Sequence, residues 1–96
     1  MSKSFNMDSY DYEQSAHILR VLGHPIRLEI MHTLIRKSPL NVSQLWREVE
    51  LPQSTVSQHL NKLKSLKLVS YERKGLEVFY RVDNPMVIKI IKTLGL

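Results

Sequence analysis

LPQSTVSQHLNKL, residues 51–63, sets Val56, Leu60 and Leu63 on one stripe of a helix and Ser54, Gln58 and Asn61 on the opposite face. Leu51 and Pro52 break the pattern before it, and the helix runs to about Leu66, with Ser65 extending the polar line. Immediately upstream, Val42, Leu45, Trp46 and Val49 follow i, i+3, i+4, i+7 spacing, with Asn41 or Ser43 available as the cap. The pattern is therefore two short helices joined by a tight turn, the second carrying a small polar outer face.

Further out the same reading gives the rest of the chain. Tyr12, Ala16, Leu19 and Leu22 mark a first helix over about Ser9 to Leu22, stopped by Gly23 and Pro25. Ile26, Ile30, Met31, Leu34 and Ile35 form the stripe of a second, with Glu29 early and Arg36 and Lys37 late, as the helix dipole favours. After Lys67 the period drops to two. Val69 and Tyr71, then Val78, Tyr80 and Val82, alternate around a Lys74-Gly75 turn signal, which predicts a β-hairpin. Asp83-Asn84-Pro85 opens a last helix whose stripe is Val87, Ile90, Ile91 and Leu94. The expected order is ααααββα: mainly α with a β-hairpin wing, a winged helix-turn-helix. Residues 1–7 show no usable periodicity and are expected to be a disordered tail ahead of one domain over 8–96.

Composition narrows the function. Of the 96 residues, 14 are Lys or Arg and 9 Asp or Glu, a net charge of +5, which favours a polyanionic partner. The excess is concentrated: Leu51 to Arg81 holds Lys62, Lys64, Lys67, Arg73, Lys74 and Arg81 against Glu72 and Glu77, whereas Asp8, Asp11 and Glu13 make the N-terminal end acidic. The absence of cysteine excludes disulfides, thiolate metal ligands and thiol nucleophiles. No secretion signal or membrane-length apolar run is found, so a cytoplasmic protein without membrane partners is expected. Paired carboxylates, a nucleophile elbow, a glycine-rich phosphate loop and zinc spacing are all missing, which argues against an enzyme and against a cofactor.

Double-stranded DNA is the polyanion that suits this pattern. An α-helix fits the major groove, and short polar side chains let its backbone approach the base edges. Gln53, Ser54, Thr55, Ser57 and Gln58 supply that surface, Gln58 being able to pair two hydrogen bonds with adenine. Asn61 and Lys62, one turn on, are placed for phosphate or sugar, and Arg73 and Lys74 at the hairpin tip for the backbone or the adjacent minor groove. Any solvated amphipathic helix also needs a polar face. However, no acidic residue occurs from Gln53 to Tyr71, whereas ordinary surface helices mix both signs.

LGHPIRLEIMHTL, NVSQLWREVELPQSTVSQHLNKLKSLKLV and RKGLEVFYRVDNP together resemble the ArsR/SmtB family of bacterial winged-helix repressors, over roughly Ile18 to Leu94. LPQSTVSQHLNKL is the most specific part, similar to that family's recognition helix. The resemblance implies a homodimeric repressor on palindromic operators, with Gln53, Ser54, Ser57 and Gln58 at base-reading positions. Metal-sensing members place thiolates where this chain reads NVSQLW, or Asp and His pairs on the last helix, where it reads NPMVIKIIKTLGL. Neither set carries over, so no metal response is expected.

His17, His24, His32 and His59 lack metal-site spacing and read as structural or surface residues, His59 being able to reach a phosphate. Trp46 and Tyr80 fall on apolar stripes and read as core. The stripes of the two terminal helices exceed what one small core can cover. Tyr12, Ala16 and Leu19, with Val87, Ile90, Ile91 and Leu94, are therefore expected to form a homodimer interface. The competing reading is a winged-helix protein-interaction module or anti-repressor without specific DNA binding; RNA binding is weaker still, for want of exposed stacking aromatics.

Overall fold

The computed structural model describes residues 9–96. The expected tail over 1–7 lies outside the described residues. Five helices and a small sheet follow in the order α1 (Ser9–Leu22), α2 (Pro25–Lys37), β1 (Leu40–Asn41), α3 (Val42–Val49), α4 (Gln53–Ser65), β2 (Ser70–Lys74), β3 (Glu77–Arg81) and α5 (Pro85–Thr93). The fold is a winged helix-turn-helix. It carries one element more than the sequence pattern showed: the two residues of β1 pair with β3, Leu40 opposite Tyr80 and Asn41 opposite Phe79. The antiparallel sheet has the order β1-β3-β2.

Each boundary has a local cause. His24 and Pro25 start α2, the His24 Nδ1 accepting from the Ile26 N–H at 3.1 Å. Asn41 and Gln44 form a capping box on α3: the Gln44 N–H donates to Asn41 Oδ1 at 2.8 Å and the Asn41 N–H to Gln44 Oε1 at 2.9 Å. Left-handed Glu50 (φ 56°) closes α3 and makes the tight turn into α4. Left-handed Lys67 (φ 60°) closes α4 with a Schellman pair of bonds, Lys67 N–H to Lys64 O and Leu68 N–H to Leu63 O, each 3.0 Å. The hairpin turns on Gly75 and Leu76, one residue later than Lys74-Gly75. Only Gly75 takes a positive φ (66°), as a type II′ turn requires.

The core lies between α2, α3, α4 and the sheet. Ile30, Met31, Leu34, Leu45, Val56, Leu60, Leu63 and Leu68 are buried there, and Tyr80 is in it with Trp46 packed against it. α5 corrects the expected interface: Val87 and Ile91, at 0% and 1% exposure, point into the protomer's own core and have no surface to offer a partner. The reason is the position of α5 over α2, which puts the i, i+4 pair inward and leaves Ile90 half-buried and Met86 and Leu94 exposed. Among the α1 residues whose burial is described, only Val21 and Leu22 are buried; Ala16 is half-buried, and Tyr12 and Leu19 are exposed.

Candidate nucleic-acid interface

The outer line of α4 follows from where its buried residues sit. With Val56, Leu60 and Leu63 turned into the core, Ser54, Gln58, Asn61 and Ser65 recur at steps of four, three and four residues along the opposite side, and all four are exposed. Exposed Gln53 lies at the N-terminal end of this line. Half-buried Thr55 and exposed Lys62 lie on one flank, seven residues apart, while half-buried Ser57 and Lys64 lie on the other. Pro52 offers no side-chain cap, so the first-turn amides of α4 keep their hydrogen-bonding capacity for something outside the helix.

Lys64 connects this helix to the wing. Its Nζ lies 4.5 Å from the Tyr71 ring centroid and 6.0 Å from that of Tyr80, within cation–π range. Between the last turns of α4 and the base of β2 runs a cleft of about 520 Å³, lined by Asn61, Lys64, Ser65, Lys67, Val69, Ser70 and Tyr71. It contains two ammonium groups and no carboxylate, and the Ser70 hydroxyl on its wall is buried without a hydrogen-bond partner. In the sequence Lys64 and Lys67 count only as charge, and Tyr71 only as a strand position. The seven-residue spacing from Ser57 is the signal that sets Lys64 on one flank of the helix; Lys67 and Tyr71 join it only through the packing of β2 beside α4.

Near the wing tip Arg73 and Lys74 form no ion pair among the described residues. Arg73, two residues beyond Tyr71, shares that residue's face of β2 and continues the cleft outward; Lys74 is on the other face, its Nζ 5.9 Å from the Phe79 ring. Both are exposed. The two wing carboxylates are engaged elsewhere, Glu72 with Arg81 at 3.6 Å and Glu77 accepting from Asn41 Nδ2 at 2.6 Å. At the tip Leu76 is 98% exposed. His59, on the flank of α4 away from the wing, accepts from Arg27 Nε at 3.1 Å. Burial, then His24, then Arg27 hold its imidazole pKa below the ordinary value.

A helix-turn-helix with a cationic wing and a carboxylate-free second helix defines a DNA-binding regulator. Residues 24–71 match the family described as bacterial regulatory protein, arsR family, and the chain belongs to that family; it is not an enzyme. The transcriptional repressor PagR of Bacillus anthracis is 45% identical over 83 residues, covering 86% of this chain and 83% of that protein. Its crystal structure matches with a TM-score of 0.80 at 42% identity, covering 91% of this chain and 99% of that one. NolR from Sinorhizobium fredii matches with a TM-score of 0.85 at 32% identity, covering 99% of this chain and 91% of that one. Among the described residues no helix is long and apolar enough to cross a membrane, and no group of three or more His, Cys, Asp or Glu is placed to hold a metal ion.

Proposed function

We propose that this chain is a transcriptional repressor that binds an inverted-repeat operator as a homodimer, without a metal ion as its signal. The observation that carries the reading is the continuity of one carboxylate-free surface, from the outer line of α4 through the lysine-lined cleft to Arg73. In the major groove α4 would be flanked by both phosphate backbones, and the strand on the wing side would pass over the cleft. Gln58 reads a base edge, Ser54 and Ser57 approach the same bases or phosphates, and Gln53 and Thr55 border them. Asn61, Lys62, Lys64 and Lys67 hold phosphates, while Arg73 and Lys74 follow the backbone toward the minor groove. Repression is the activity named for PagR.

The dimer rests on shape and exposed apolar surface. The radius of gyration is 15.0 Å, against about 12.5 Å for a compact chain of this length. Tyr12 and Leu19 on α1 and Met86 and Leu94 on α5 are 46%, 61%, 42% and 57% exposed. Ile90 and Leu94, with Met86, also line an apolar groove of about 420 Å³ on α5. A two-fold axis through these terminal helices would bury such surfaces and set two α4 helices about one DNA turn apart, roughly 34–36 Å, or a multiple of it. The test is selection of duplexes from a random-sequence pool followed by footprinting. An enriched inverted repeat with two protected half-sites supports the proposal; binding without enrichment turns it toward the protein-interaction module.

A further inference from the structure

Three elements meet at one side chain on the flank of α4. Arg27, in the first turn of α2, donates from Nη1 to the Val21 carbonyl at the end of α1 (3.3 Å) and from Nε to His59 Nδ1 on α4 (3.1 Å). His24, at the junction of α1 and α2, is oriented by capping α2, and its ring lies against that of His59 with centroids 4.4 Å apart. Gly23 in the same junction is tightly placed: a Cβ there would lie 3.1 Å from the Leu19 carbonyl oxygen, closer than an ordinary van der Waals contact. Neither ion pair among the described residues involves Arg27. Its guanidinium is committed to a backbone carbonyl and an imidazole instead.

We infer that Arg27 is a positioning residue for operator reading: by tying the end of α1 to His59 it fixes the angle at which α4 is presented, and protonation of His59 releases it. The inference rests on the DNA reading above. An imidazole that accepts at Nδ1 carries its proton on Nε2. A second proton, on Nδ1, removes the acceptor and places an imidazolium beside the Arg27 guanidinium. The titratable and charged groups facing His59 are His24 from the junction and Arg27 from α2, with Lys62 one turn on along α4 itself. None of them stabilises the added charge, consistent with the lowered pKa. Base reading depends on helix placement to within about 0.5 Å and 10–20°, whereas phosphate attraction does not. Release of the clamp therefore lowers specific affinity and leaves random-sequence affinity unchanged or, through the extra charge, raised.

The test measures affinity of wild type, Arg27→Ala and His59→Gln for the duplex selected from the random pool and for a scrambled duplex, from pH 8 to pH 5.5. Wild type should lose roughly two- to fivefold in specific affinity at the acid end, less than an unshifted imidazole would give because the depressed pKa keeps part of His59 neutral there, with no loss on scrambled DNA. His59→Gln, whose Oε1 can still accept from Arg27 but cannot titrate, should bind at pH 8 and lose that dependence. Arg27→Ala should lose specific affinity at every pH with its salt dependence intact. If Arg27→Ala fails to fold, the contrast between wild type and His59→Gln decides the matter. The inference is overturned if His59→Gln keeps the wild-type pH profile, or if Arg27→Ala weakens both duplexes equally and lowers the salt slope, which would make Arg27 a phosphate contact. A wild-type protein that distinguishes no duplex at pH 8 overturns the DNA reading itself, and this inference with it.

Discussion

In the proposed reading base recognition turns on Gln58, which lies mid-way along the outer line of α4, exposed, with an amide oxygen to accept and an amide nitrogen to donate. Gln58→Ala is expected to cost about 1–3 kcal/mol on the specific duplex and to relax the preference at one position per half-site, read by binding to single-base variants. Lys62, Lys64 and Arg73 belong to the other class. Replacing each by Ala should weaken specific and scrambled duplexes alike and reduce the slope of log affinity against log salt by about one. His59 adds a stability effect whose sign follows from its depressed pKa. The unfolded chain takes up a proton near pH 6.5 and the folded chain resists it, so stability is full above that value and falls as the pH drops through the folded pKa. Melting temperatures at pH 7.5 and 5 should therefore differ less in His59→Gln than in wild type. The outer line was legible in the sequence, since period alone places Ser54, Gln58 and Asn61 opposite Val56, Leu60 and Leu63. The surroundings of His59 were not: its partner Arg27 is 32 residues away, and only the packing of α2 on α4 brings them together.

At the scale of the element, the boundaries that depend on Pro, Asn and Gly could be read, while those set by tertiary pairing could not. Asn84 and Pro85 open α5 as expected, the Met86 N–H donating to Asn84 Oδ1 at 2.9 Å. β1 is too short to show a period and exists through its pairing with β3. Glu50 and Lys67 end helices in a conformation usually marked by glycine, and neither residue type signals it. In the proposed reading Lys67 has two separable roles, ending α4 and holding a phosphate. Lys67→Gly should raise stability by about 0.5–1 kcal/mol, by relieving the left-handed side chain, and at the same time weaken binding to any duplex. Denaturant melts and filter binding on one preparation would check both. Asn41 joins the cap of α3 to the wing through Glu77, so Asn41→Ala should cost about 1 kcal/mol in the same melts.

For the whole molecule, the sequence pattern shows apolar stripes on both terminal helices but cannot divide them between core and exterior. A stripe of four on α5 looks the same whether it faces one neighbour or two, and the packing over α2 takes Val87 and Ile91 inward. In the proposed dimer the partner would cover Leu19 with Met86, Ile90 and Leu94. Leu19→Asp combined with Leu94→Asp changes only exposed positions. The pair should fold, scatter light as a particle of 11.3 kDa rather than about twice that, and lose on the order of a hundredfold in operator affinity as the half-sites are bound separately. Chelator or added zinc should leave wild-type binding unchanged. Whether α4 distinguishes sequences is measured directly by competition between the selected duplex and scrambled DNA at physiological salt. Wild type should prefer the selected duplex by about a thousandfold or more, and Gln58→Ala should lose most of that preference while holding scrambled DNA as before. A wild-type ratio near one, or a ratio that Gln58→Ala leaves untouched, would contradict base reading by α4.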